Sequence, residues 1–381
     1  MDVNFKERIG SVQELYDGAL FPGVQVSTLR NIGRLFPIRA IRCGTNTRAL
    51  PVGNPIDNFQ FVSKGTTYDL YDYIALNRIG GLLVIKNGTI RLEHYEFGNS
   101  ETTRWSSMSI AKSITATLVG IAAKTGEIAS LDDHVVKYLP AMAGSAYDGV
   151  SIRHVLQMTS GVQWNEDYTD PRSDRRRMLE AQVNQKPGAV LALLASLPRA
   201  ASPGTRWNYS TGETHVLGAV LRAAIGRPLA EFLSEHIWRP FGMESDASWW
   251  LEAPDGLEIG GSGVSATLRD FGRFGMFLLA GGRIDGRQLL PKRWIEEASS
   301  PKLVGNELVA YGYMLWPIAD ASGGRYAGAF EARGIFGQHV YVNSAENLVV
   351  VAWGALPKPT GSATIVDHDF FAAVATTLRT R

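Results

Sequence analysis

The chain has 381 residues, 45% hydrophobic and 20% charged, with a formal net charge of +1. That composition is globular, and the near-neutral balance gives no whole-chain field that would draw nucleic acid or an anionic membrane. One cysteine, Cys43, excludes an internal disulfide, and no stretch approaches the roughly 18 apolar residues of a membrane span.

The opening MDVNFKERIGSVQEL has no basic region followed by an apolar run, so a cytoplasmic protein without a secretory signal is expected. Residues 1–65 carry scattered Gly and Pro and predict an irregular N-terminal extension wrapped on the body. Apolar spacing predicts a helix over 68–79. Two β-rich runs, 82–86 and 89–95, flank Asn87-Gly88, a dipeptide suited to a type I′ hairpin turn. Residues 106–125 read as a buried helix with serine caps at its start and Gly126 as its stop. Two short helices follow, the second opening at Ser151 and ending at Thr159-Ser160-Gly161. Residues 165–187 are polar and Arg-rich and predict a long loop or lid. Helical patterns return at 188–197, 212–225, 228–238, 267–280 and 291–299. Strands are expected at 311–318, 325–333, 335–343 and 348–354, and an amphipathic helix at 367–379.

Strands thus sit towards both ends and helices fill the middle. The expected fold is α+β: one mostly antiparallel sheet formed from both ends of the chain, covered by helices 68–79, 109–125 and 367–379, with an inserted helical domain. The implied boundaries are an extension at 1–65, a sheet domain at 66–125 and 262–381, and a helical domain at 126–261. A cleft between two such domains is a common ligand site.

The pattern that carries chemistry is Ser109-Ile-Ala-Lys112. Residues three apart share a helical face, so hydroxyl and amine can meet. A serine in the first turn also lies beside free backbone N–H groups. Serine needs a base, and lysine serves only when burial or a neighbouring cation lowers its pKa; Ile110, Ala111, Ile114 and Leu118 supply burial. The spacing alone is weak, because Ser299-Ser-Pro-Lys302 also matches; there a proline interrupts the pattern, which follows a helix instead of opening one. A second element, Pro203-Gly-Thr-Arg-Trp-Asn-Tyr209-Ser210-Thr211, sets a tyrosine just before a helix, where it could shuttle a proton or simply be a core residue followed by a cap.

In this order the motifs resemble the serine β-lactamase and penicillin-binding-protein superfamily, and within it the class C β-lactamase-like esterases and amidases. The resemblance spans roughly residues 65–381. It implies Ser109 as nucleophile, Lys112 and Tyr209 as proton carriers, and an oxyanion hole from the N–H groups of Ser109 and Ile335. Ala332-Arg333-Gly334 occupies the place of the family's third motif, with Gly334, Ser210, Thr211 and His339 as candidate substrate contacts. The glycines 334 and 337 can equally be read as strand bulges. Two departures count against efficient β-lactamase or transpeptidase work: Tyr-Ser-Thr replaces Tyr-x-Asn, and Ala332 replaces a lysine. Asn165-Glu-Asp-Tyr168-Thr-Asp-Pro171 and Gly-Ile-Phe-Gly-Gln338 resemble the 6-aminohexanoate-dimer hydrolase subgroup. That likeness implies that Tyr168 closes over the substrate at the amide nitrogen.

The expected activity is hydrolysis of carboxylic esters or linear amides through an acyl-enzyme, with acyl transfer or β-lactamase and D-amino-acid peptidase work as alternatives. No histidine shows metal-ligand spacing and no nucleotide loop appears, so no metal or cofactor is expected. The expected partner is a small ester or amide, with no nucleic acid or membrane; a homodimer is compatible. Arg172, Arg175, Arg176 and Arg177 could attract a carboxylate-bearing substrate but read rather as a solvated basic turn, and Arg333 could serve as an anion clamp but is expected to alternate to the opposite face.

Overall fold

The computed structural model describes residues 6–318 and 328–379. Its centre is a six-stranded antiparallel sheet in the order Trp316–Pro317, Ala329–Gly334, Gln338–Asn343, Leu348–Gly354, Ile79–Lys86, Thr89–Tyr95. Early and late strands meet directly, with Val350 opposite Val84 and Val349 opposite Ile85. Strand Ile79–Lys86 is buried almost throughout, because both of its faces are covered. Leu82 and Val84 pack with Tyr73, Phe370 and Phe371 from helices Leu70–Leu76 and Asp367–Arg379. Leu83 and Ile85 belong to the larger core on the other face, beside helix Leu268–Leu279. The hairpin turn forms as expected: Asn87 and Gly88 both take positive φ, 53° and 76°.

A second, four-stranded sheet orders Ile38–Ile41, Ala247–Trp250, Val264–Ala266 and Trp105–Ser106. It changes the reading of the N-terminal extension. Helices Val12–Asp17 and Pro22–Arg30 and a paired strand come from residues expected to be irregular. The extension is tied down by backbone pairing and by buried side chains such as Leu15, Tyr16 and Leu29.

Helices 188–197, 212–225, 267–280 and 367–379 appear within a few residues of expectation. Residues 165–187 do not stay a loop, since Asp174–Val183 is helical, capped by Ser173. Its apolar signal was masked because Arg175 and Arg176 lie on the inward face, where they are buried and hydrogen-bonded. Of the strand expected at 311–318, only Trp316–Pro317 forms a ladder. The strand expected at 325–333 is seen at Ala329–Gly334, with 325–327 outside the described residues. No helix among the described residues is long and apolar enough to cross a membrane.

Candidate active site

Strand Trp105–Ser106 pairs with Val264–Ala266, and Ser107 N–H donates to Val264 O at 2.7 Å. The chain then turns sharply. Met108 is held at φ 44°, a left-handed conformation costly for a non-glycine residue, and helix Ile110–Thr125 begins. Ser109 stands at the N-cap, but its hydroxyl does not cap the helix as a structural serine would. It faces Lys112 instead.

Lys112 is almost fully buried, and its Nζ has three partners: Ser109 Oγ at 2.9 Å, Thr211 Oγ1 at 3.0 Å and Gly261 O at 2.8 Å. A carbonyl can only accept. The Thr211 hydroxyl donates to Glu166 Oε1, so it too accepts from the lysine. A neutral amine has two N–H donors and one lone pair, so these two acceptors use both donors and leave the lone pair facing the serine O–H. Burial pushes Lys112 down to about 7, with Glu166 opposing that shift and Arg175 adding to it. The amine is therefore poised between its two forms near neutrality.

Tyr209 lies across the same space. Its ring centroid is 5.1 Å from Lys112 Nζ. Burial pushes the phenol above its usual pKa; the Glu166 carboxylate adds to this and the neighbouring Ser109 side chain opposes it. The hydroxyl, amine and phenol sought in the sequence converge at one wall of a cleft of about 890 Å³.

The turn after strand Ala329–Gly334 also lines the cleft. A Cβ on Gly334 would lie 2.7 Å from Ser107 O and 2.9 Å from Ser109 N. Glycine is required there because the strand presses on the Ser109 backbone, not because a side chain would crowd the substrate. That close approach sets Ile335 beside Ser109 on the cleft surface. Among the described residues, neither Ser109 N–H nor Ile335 N–H donates within the protein.

The remaining candidates divide. Tyr168 and His339 line the cleft. Burial disfavours a charge on His339, but the carboxylates of Asp367 and Glu331 outweigh it and push the imidazole up to about 10. Nδ1 lies 2.9 Å from Glu331 Oε2 and Nε2 3.5 Å from Asp367 Oδ2. Ser210 and Thr211 turn inward: Ser210 caps helix Thr211–Ile225 through Glu213 N–H, and Thr211 bridges Lys112 and Glu166. Neither is among the residues lining the cleft; Thr211 holds the base and Ser210 the start of its helix.

One group was not singled out from the sequence, and a second was expected to point elsewhere. Glu166 lines the cleft and accepts from Thr211 N–H at 2.8 Å and from its hydroxyl. Its signal was an acid two residues before Tyr168, facing arginines that read as solvated. Arg333 was expected to alternate away, yet it lines the cleft with its guanidinium 3.7 Å from the Trp316 ring centroid. The neighbouring strand pairs only as far as Glu331, so beyond it the side chain is free to fold over the sheet edge. Among the described residues no group of three His, Cys, Asp or Glu is placed to hold a metal ion.

Comparison with known proteins bears on the family and the fold. The family described as Beta-lactamase matches residues 75–369. The 6-aminohexanoate-dimer hydrolase of Paenarthrobacter ureafaciens is 28% identical over 291 residues, 73% of this chain and 72% of that protein. Esterase EstB of Burkholderia gladioli is 33% identical over 151 residues, 38% of each chain. A solved structure from Bacillus anthracis, described as a candidate 6-aminohexanoate-dimer hydrolase, shares the fold with TM-score 0.80 at 21% identity, over 94% of this chain and 93% of its own.

Proposed function

This chain belongs to the β-lactamase family, a family of serine hydrolases, and from that premise we propose that it cleaves carboxylic esters and linear amides through an acyl-enzyme on Ser109. The observation that carries the reading is the three-partner arrangement of Lys112 Nζ, which leaves its lone pair for the serine proton. Ser109 Oγ attacks the carbonyl carbon while its proton passes to Lys112. The carbonyl electrons move onto oxygen, which rests on the N–H groups of Ser109 and Ile335. Collapse expels the leaving group, which takes a proton through Tyr209. Water then attacks the acyl carbon with the same groups in reverse, and Ser109 is regenerated.

The relatives' names support the substrate class: one is a hydrolase of the 6-aminohexanoate dimer and one is an esterase. Tyr168 closes the leaving-group side of the cleft, and Arg333, flat on Trp316, gives a cation for a substrate carboxylate. β-Lactam hydrolysis is disfavoured, because Thr211 stands where the family has an amide side chain and is committed to Lys112 and Glu166. Ala332, in place of the family's lysine, is buried and uncharged.

The test is a substrate panel with intact-mass readout. p-Nitrophenyl acetate and short linear amides should turn over, and nitrocefin should be slow or inert. A fluorophosphonate should add one label to the native protein and none to Ser109→Ala. An unlabelled native protein, or equal labelling of Ser109→Ala, would sink the assignment.

A further inference from the structure

The N-terminal segment is built into the cleft wall. Helix Val12–Asp17 opens with a Ser11–Glu14 capping box and stops at Gly18 in the left-handed conformation, so its short length is fixed at both ends. Its last turn carries Tyr16, which is 1% exposed. The Tyr16 ring packs between Tyr168, which lines the cleft, and the buried Phe336. Its centroid is 6.1 Å from that of Tyr168 and 6.4 Å from that of Phe336, the residue after Ile335, in an edge arrangement. Arg175 lies on the Tyr16 ring at 4.7 Å and donates to its phenolic oxygen.

The next residue continues the pattern. Asp17 accepts from Arg176 Nη1 at 2.6 Å, and the same Nη1 donates to Tyr168 O at 3.1 Å. Lys358, on the cleft surface, donates to Asp17 O and Gly18 O at 3.3 Å and 3.2 Å. Tyr168 itself sits in a segment without regular structure and among described residues makes no side-chain hydrogen bond of its own. Its ring position therefore depends on what packs behind it and on the anchor of its carbonyl. Tyr16 supplies ring packing and Asp17 holds the Arg176 that anchors the carbonyl, beside local bonds to Asp167 from Thr169, Asp170 and Ser173.

We infer that Tyr16 is a positioning residue: it holds the Tyr168 ring over the leaving-group side of the cleft, and so sets affinity for linear amides without touching substrate. This rests on the proposed role of Tyr168 in the hydrolase reading above. A substrate too small to reach Tyr168 should be indifferent to Tyr16, whereas an extended amide should feel its loss. Asp17 supports the same wall through Arg176, by a bond to the carbonyl and not the ring, so its contribution is smaller.

The experiment is a double-mutant cycle on the full chain, using Tyr16→Leu, Tyr168→Ala and the pair. Leucine keeps apolar volume but removes the ring. Expected for Tyr16→Leu is a KM for an extended linear amide raised about 10-fold, with p-nitrophenyl acetate turnover within about 2-fold of native. In the Tyr168→Ala background the same change should move KM less than about 2-fold, because the residue through which it acts is gone. Tyr16→Phe, which keeps the ring, should recover most of the native KM. Equal effects in both backgrounds, or unchanged KM in Tyr16→Leu, overturn the inference. If Tyr16→Leu does not fold, Asp17→Asn carries the test: its carboxylate is half exposed, so the change is tolerable. It should raise the amide KM about 3-fold with Tyr168 present and not in its absence. A native protein that takes no fluorophosphonate removes the parent reading instead, so the two failures are distinct.

Discussion

Two stretches of this chain read Ser-x-x-Lys, and they end in opposite situations. At 109–112 the serine precedes a helix, its hydroxyl is left out of the cap, and Lys112 meets it at 2.9 Å inside the protein. At 299–302 the serine ends a helix, and its hydroxyl donates back to Ile295 O at 2.7 Å. Pro301 then breaks the helical path, and Lys302 enters a short strand with its Nζ 5.2 Å from the Tyr313 ring centroid. Burial lowers the pKa of both lysines. Spacing and desolvation are thus shared by both stretches. What differs is whether the backbone stays helical across the pattern, and whether other acceptors occupy the lysine's N–H groups so that a lone pair is left for the serine.

The comparison breaks most easily at its active member. Ser109→Ala should lower ester and amide turnover by at least about 10³-fold, measured by steady-state kinetics. Lys112→Arg should cost a similar amount while keeping positive charge, because a guanidinium cannot be deprotonated to act as a base. If Lys112→Arg retained near-native kcat, the lone-pair account of the lysine would fail. Gly334→Ala should come next, with kcat lowered about 10²-fold and KM little changed. The added methyl would have to displace the backbone that holds Ser109, and small misplacements of reacting groups are costly.

A subtler prediction concerns pH. Activity needs Lys112 neutral, so kcat/KM should rise with pH through about 7. Glu166 favours the charged amine, so Glu166→Gln should move that acid limb to lower pH, by about one unit. A limb that stayed in place, or moved upward, would show that the carboxylate does not act on Lys112.

The parts legible in advance were those set by local rules. The hairpin at Asn87-Gly88 follows from backbone preference, and the 109–125 and 367–379 helices from apolar spacing. The pairing of early and late strands followed from where β-rich runs fall along the chain. The parts missed are those where a polar residue is buried by partners distant in sequence. Arg175 and Arg176 read as solvated because their partners, Tyr16 and Asp17, lie 159 positions earlier. The N-terminal extension read as irregular because its strand becomes visible only when Ile38–Ile41 pairs with Ala247–Trp250. Thr211 was assigned to substrate because the family pattern places a polar residue there. Its actual direction depends on Glu166, whose position comes from a segment with no regular structure.

The smallest expected effect belongs to the other Ser-x-x-Lys stretch, and it sharpens the comparison. Ser299→Ala and Lys302→Ala should each leave kcat and KM within about 2-fold of native, since surface-side changes away from a site are usually near neutral. Neither residue lines the cleft that holds Ser109. Lys302→Ala should also leave the fluorophosphonate labelling rate unchanged, although its amine is partly desolvated. A loss of labelling there would mean that the 299–302 region communicates with Ser109. The nearest connection is Ser113, whose hydroxyl donates to Met314 O one residue beyond the Tyr313 that Lys302 overlies. That contact is a single hydrogen bond from a side chain to the backbone and involves neither Ser299 nor Lys302. A lysine over a tyrosine face, with no serine turned towards it and no pair of acceptors to hold its protons, has no means of acting as a base.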